Sequence, residues 1–139
     1  TTNHDFEIKG YKHLEHVLKE LKELGYLVGI VTSKTDYVAH QNLKDLNIEQ
    51  YFDCVVTHQD TNLHKPNPEP ILFALDKLGV NPNEAIYIGD HENDIVAGRN
   101  ALVKTGLMAY SHRLNEAEIE SPNYIFKDLK DILKRIERE

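Results

Sequence analysis

The sequence predicts an α/β fold in three layers: a mainly parallel, doubly wound sheet with helices on both faces. Apolar strand-like runs alternate with helical stripes along the chain, and those runs are apolar throughout instead of at every second residue, as expected of strands covered on both sides. Polar residues able to do chemistry fall just after the apolar runs, where ligands bind in such sheets.

Leu14, Val17, Leu18, Leu21 and Leu24 recur at helical spacing and Gly25 supplies a stop, which predicts a helix over about 12–24. Leu27 to Val31 is a short apolar run rich in β-branched residues, too short for a buried helix, and reads as a strand ending at Thr32-Ser33. Ala39, Leu43 and Leu46 mark a second helix, and Phe52 to Val56 a second strand ending at Thr57. The loop from His58 to Pro70 carries Lys65-Pro66-Asn67-Pro68-Glu69-Pro70, whose prolines forbid a helix before about residue 69. Ile71, Leu72, Leu75 and Leu78 then form a helix stopped by Gly79. Ala85 to Ile88 is a third strand, Gly89-Asp90 a turn, and Asp94 to Ala101 a short helix. Val103 to Met108 and Tyr124 to Phe126 complete the strands, and Leu129, Ile132, Leu133 and Ile136 stripe a last helix. Thr1 to Glu7 contains no apolar run that could be a strand.

The chain has 139 residues, 40% of them hydrophobic, which suits one domain with a real core. Lys and Arg number 16 against 23 Asp and Glu, a net charge of −7 that argues against a sequence-independent grip on nucleic acid or on an anionic membrane. One cysteine, Cys54, forms no internal disulfide, and neither a secretory signal nor an apolar run of about 20 residues is visible. A soluble, cytoplasmic protein is expected.

Three strand ends hold the candidate site. Gly89-Asp90-His91-Glu92-Asn93-Asp94 places two carboxylates four residues apart, one at a strand end and one in the first helical turn. They could converge on Mg²⁺, which takes oxygen ligands and keeps several waters, or serve only as turn former and helix cap. Thr32 and Ser33 could hold a phosphate through a hydroxyl and the following helix start, or simply cap that helix. Lys65, on a rigid Pro-rich loop, could neutralise phosphate, anchor a carboxylate, or stay solvated. Hydroxyl, lysine and acidic pair in this order, at three successive strand ends, are more specific than any one of them.

Gly25-Tyr26-Leu27-Val28-Gly29-Ile30-Val31-Thr32-Ser33-Lys34, then His64-Lys65-Pro66-Asn67-Pro68-Glu69-Pro70, then Ile88-Gly89-Asp90-His91-Glu92-Asn93-Asp94 with Ile95 to Ala101, resembles the haloacid dehalogenase superfamily, specifically its phosphoglycolate phosphatase-like hydrolases. The resemblance runs from about residue 11 to 134. It implies a Rossmann-like core and a Mg²⁺-dependent phosphatase acting on a small phosphomonoester or pyrophosphate. Thr32, with Ser33 the weaker candidate, would bind the transferring phosphoryl group. Lys65 would steady the nucleophile and the phosphoryl oxygens, Asp90 would ligate Mg²⁺, and Asp94 would support the metal. Such sites work by positioning and by neutralising oxygen charge.

The resemblance also implies a D-x-D motif, carrying nucleophile and acid/base, at the end of an earlier apolar strand. Asp5-Phe6-Glu7 has the wrong second acid and no such strand before it. Residues 1–139 are therefore expected to be a partial core domain without the nucleophile strand and the cap, nearly inactive alone. The first strand would lie between those ending at Thr32 and Asp90, so its absence leaves a slot through which chains could self-associate. The alternative is a non-catalytic binding or regulatory module on the same scaffold. A receiver-like or flavodoxin-like domain fits the element order but leaves the Lys65 loop and the acidic pair unexplained.

Other residues read more plainly. Among the eight histidines, His58, His64 and His91 fall on the presumed active face but lack the close spacing of a zinc site, and His91 would touch substrate or cap a helix. Cys54, Tyr87 and Tyr124 read as core packing, and Arg99 as a surface charge.

Overall fold

This computed structural model describes residues 13–108 and 120–137; Thr1 to Glu7, where no strand is expected, lie outside them. Among the described residues the five expected helices and five expected strands all form. They are α1 Leu14–Glu23, β1 Gly29–Val31, α2 Asp36–Asp45, β2 Cys54–Val56, α3 Glu69–Leu78, β3 Ile86–Gly89, α4 Glu92–Asn100, β4 Lys104–Met108, β5 Tyr124–Phe126 and α5 Asp131–Glu137. Short 3₁₀ turns at Glu49–Tyr51, His58–Asp60 and Pro82–Glu84 join them. No helix among these residues is long and apolar enough to cross a membrane.

Local chemistry explains the boundaries. Gly79 ends α3 in the left-handed region at φ 69°, where its N–H reaches Asp76 O at 3.1 Å and the N–H of Val80 reaches Leu75 O at 3.1 Å. Pro70 falls in the first turn of α3, where a missing N–H costs nothing. α4 begins at Glu92, two residues earlier than expected, because the His91 imidazole acts as N-cap: its Nδ1 accepts from the N–H of Asn93 at 3.0 Å.

Every strand pair is parallel, but the strands form two ladders. β1 pairs with β2, setting Gly29 opposite Cys54 and Val31 opposite Val56, while β3, β4 and β5 form a separate sheet in that order. A groove of about 510 Å³ separates them, lined by Gly29 and Val31 on one side and Ile86 and Tyr87 on the other. This revises the expectation that the strands are buried on both faces: Gly29 is exposed, Ile30 half-buried and only Val31 buried, and β3 is half-buried until Gly89, because both strands border the groove.

Two helices tie the ladders together from opposite faces. On one face α1 sends Val17 into a cluster with Met108, Phe126, Leu129 and Ile132, and Leu18 into another with Leu43 and Ile48. On the other face α3 packs Ile71 and Leu75 against Ala97, Ala101 and Val103, and Ala74 against Val31 and Val56. Burying a side chain of this size stabilises by roughly 1.5–3 kcal/mol, so these contacts stand in for the hydrogen bonds the two ladders do not share. Cys54 is half-buried beside Gly29, and burial pushes its thiol up, in keeping with a packing role.

The packing of α4 on β4 leaves no room at Gly98, where an added Cβ would lie 2.6 Å from Thr105 Cγ2. Alanine gains about 1 kcal/mol of helix propensity over glycine, but overpacking a tight contact costs about 1–3 kcal/mol. Gly98→Ala is therefore expected to lower stability by up to about 2 kcal/mol in urea unfolding; a stabilised variant would show that α4 can shift freely on the sheet.

Candidate active site at the strand ends

The carboxyl ends of β1, β2 and β3 open into a small cleft of about 60 Å³, lined by Thr32, Ser33, Thr57, His64, Lys65, His91, Asn93 and Asp94 among others. Of the residues singled out in the sequence, the structure brings Thr32, Ser33, Lys65 and Asp94 together here, and Asp90 adjoins them through its backbone.

Thr32 follows β1 directly and is buried, its N–H extending the ladder to Val56 O at 2.9 Å. Its Oγ1 accepts from the N–H of Lys34 at 3.1 Å. That bond uses an oxygen lone pair and leaves the hydroxyl proton to donate into the cleft. Ser33 is exposed beside it. Neither residue caps α2: its N-cap is Thr35, and the N–H of Asp36 donates to Gln59 Oε1 at 2.6 Å.

Asp94 is the junction of the site. Its Oδ1 accepts from Lys65 Nζ at 2.7 Å, and its Oδ2 accepts from the N–H groups of Asp90 and His91, each at 3.2 Å. Both charged side chains of the ion pair are buried, at 8% exposure for Lys65 and 2% for Asp94. Two of the alternatives open for these residues are thereby decided: Lys65 anchors a carboxylate instead of lying in solvent, and Asp94 closes a capping box with His91. A Cβ at Gly89 would collide with the Asp94 side chain, so the turn before Asp90 needs glycine to let this carboxylate in. Asp90 is 3% exposed at the end of β3.

The structure gives further residues partners that their sequence reading did not. Tyr87 Oη accepts from Lys65 Nζ at 3.0 Å and donates toward Val31 O at 3.5 Å, so this tyrosine is more than core packing. His58 and His64 stack at the rim, ring centroids 4.0 Å apart and 19° from parallel. Glu69 receives the N–H groups of Asn62 and Leu63 at 2.8 and 3.0 Å and ties the Pro-rich loop to the start of α3. Arg99 pairs with Glu120 at 3.0 Å on the surface. Among the described residues, no group of three or more His, Cys, Asp or Glu side chains is arranged around a metal position.

Burial alone would lower the Lys65 ammonium, but the Tyr87 oxygen and the Asp94 carboxylate outweigh it and hold Lys65 above the ordinary lysine value. Burial pushes the Tyr87 phenol up to about 12, with Lys65 opposing and Asp94 reinforcing the shift. Between its ordinary value of 10.0 and about 12, the folded chain keeps a Tyr87 proton that the unfolded chain has released. Lys65 acts in the same sense: its stabilisation is complete below its ordinary value of 10.5 and is lost as the pH rises above it. Stability is therefore expected to fall as pH rises above about 10, each pKa unit corresponding to about 1.4 kcal/mol. Urea midpoints measured from pH 8 to 11 read this, and Tyr87→Phe should flatten the fall; equal slopes in both proteins would contradict the assignment.

Comparison with known proteins gives a consistent picture. Residues 1–108 match the family model described as haloacid dehalogenase-like hydrolase. The chain is 34% identical over 131 residues to the pyrophosphatase PpaX of Oceanobacillus iheyensis, covering 94% of this chain and 61% of that protein. It is 38% identical to PpaX of Bacillus velezensis, with the same coverage. The chain thus spans about three fifths of the length of the curated relatives it matches. Among solved structures, a HAD phosphatase from Thermococcus onnurineus superposes with a TM-score of 0.81 at 29% identity, over 91% of this chain and 57% of that one. A HAD-superfamily hydrolase from Ehrlichia chaffeensis gives a TM-score of 0.79 at 27% identity, over 92% and 58%.

Proposed function

This chain belongs to the haloacid dehalogenase-like hydrolases, and on that premise we propose that its strand-end cleft binds the phosphoryl group of a small phosphomonoester or of pyrophosphate in a Mg²⁺-dependent phosphatase. One observation carries the proposal: a threonine hydroxyl with its proton available, a buried ammonium and a carboxylate line one cleft at successive ends of parallel strands.

Each group has a distinct task. The Thr32 hydroxyl donates to a phosphoryl oxygen, with Ser33 beside it as a second donor. Lys65 brings positive charge into a water-poor site, where it counts for more than at the surface. The oxygen-only donors at the end of β3 suit Mg²⁺, with Asp90 as the residue that would hold it and Asp94 supporting from behind, fixing the Asp90 backbone and Lys65. When bound, the ion would neutralise charge on the phosphoryl oxygens. The names of the PpaX relatives favour pyrophosphate within this substrate class.

The same assignment leaves no nucleophile among the described residues of the cleft. Asp94 is committed to Lys65 and two amides, and Asp90 to the metal, so no carboxylate of the described cleft is left to attack phosphorus. We read residues 1–139 as a single haloacid dehalogenase-like core domain of a cytoplasmic protein. By itself this chain should bind phosphate and hydrolyse very little. A second reading, a non-catalytic binding or regulatory module, is favoured by the groove between β1 and β3; self-association along it would appear as a dimer in light scattering.

Titration of the chain with inorganic phosphate in the presence of Mg²⁺, followed by amide NMR, is expected to shift Thr32, Ser33 and Asp90, and Lys65→Met should abolish the shifts. Hydrolysis of p-nitrophenyl phosphate and pyrophosphate should stay near background. No phosphate response would sink the phosphoryl-site proposal, and fast turnover that Asp90→Asn removes would reveal a nucleophile within the chain.

A further inference from the structure

We propose that Tyr87 is a positioning residue for Lys65, fixing the ammonium at the seam between the two ladders; this rests on the phosphoryl-binding role given to Lys65 above.

A lysine side chain ends four carbons from its backbone and keeps considerable rotamer freedom unless it is restrained from more than one direction. The backbone here is a loop between β2 and α3, not a strand, so the loop alone does not aim Nζ. A single bond to Asp94 at 2.7 Å leaves the ammonium able to swing about that contact. Tyr87 supplies a second restraint at 3.0 Å from the opposite ladder's first strand, β3. An ammonium has three protons. Asp94 and Tyr87 take two, and the third remains for a ligand oxygen in the cleft, of which Lys65 is a lining residue.

The phenol also points the right way. Its oxygen accepts from Lys65 and its proton is directed to the carbonyl of Val31, 3.5 Å away. Val31 is the last residue of β1 and precedes Thr32, so the same side chain that steadies the lysine reaches the strand that presents the hydroxyl. Phenylalanine would fill the ring's space between α3 and β1 but offer neither contact. Tyr87→Phe thus separates positioning from packing.

Side-chain ammonium NMR on chain labelled with ¹⁵N-lysine, without any ligand, tests this. The expected result is one slowly exchanging ammonium signal that disappears in Lys65→Met and shows a through-space contact to the Tyr87 ring. In Tyr87→Phe that signal should exchange about tenfold faster, as for loss of one hydrogen bond to a charged group, and inorganic phosphate should bind several-fold more weakly. Unchanged exchange in Tyr87→Phe would overturn the proposal. If that variant does not fold, the wild-type contact decides: its presence supports the proposal and its absence refutes it. Failure of wild-type protein to bind phosphate would remove the functional premise, while the ammonium signal would still report whether Tyr87 holds Lys65.

Discussion

The carboxylate of Asp94 is the constraint on which the site depends. It closes the first turn of α4 through two amides, pins the lysine of the Pro-rich loop, and thereby joins the strand ends of β2 and β3. Its position is possible only because Gly89 has no side chain. A buried ion pair is a poor source of net stability, since desolvating both charges offsets most of their attraction, yet leaving one partner unpaired costs about 3–5 kcal/mol. The pair is better understood as a device for specificity of position. It fixes one charge where a phosphoryl oxygen would need it and satisfies that charge when nothing is bound.

Around that junction the rest of the chain does a simpler job. Parallel strands point their carboxyl ends the same way, so short polar segments after β1, β2 and β3 meet at one end of the molecule without any long excursion. The helices hold the strands at this spacing. Because β1 and β3 are not hydrogen-bonded to each other, the distance from the Thr32 hydroxyl to the Asp90 carboxylate is set by side-chain packing under α1 and α3 and by the Tyr87 hydroxyl.

Much of this could be read from the sequence, for identifiable reasons. Proline and glycine act locally, so the start of α3 at Glu69 and its stop at Gly79 follow from the residues themselves. Apolar runs ending in polar residues mark strand ends, which is why Thr32 after β1 and Asp90 after β3 stand out in the sequence as candidates. Features set by tertiary contact were hidden. An aromatic residue inside an apolar strand gives no sign of whether its hydroxyl will find a buried partner, so Tyr87 reads from sequence as packing alone. The sequence offers both a substrate contact and a cap for His91, and only the bond from the N–H of Asn93 to its ring shows that α4 starts at Glu92. The exposure of Gly29 depends on what lies beside β1 in space, which hydropathy along the chain does not encode.

The divided sheet also decides how this fold would come apart. In an unbroken sheet, backbone bonds make the central strands one cooperative block; here the block containing β1, β2 and α2 is joined to the block containing β3, β4, β5 and α4 through the two straddling helices and the contacts of Lys65 and Tyr87. Loosening α1 and α3 together would release the first block as a subglobal opening short of complete unfolding. Such an opening would carry the hydroxyls of Thr32 and Ser33 away from Asp94 and pull on the Lys65–Asp94 contact that joins the strand ends of β2 and β3. The hydroxyl of Thr32 and the carboxylate of Asp94 therefore belong to different blocks, and an agent that grips both would act as a clamp across the seam.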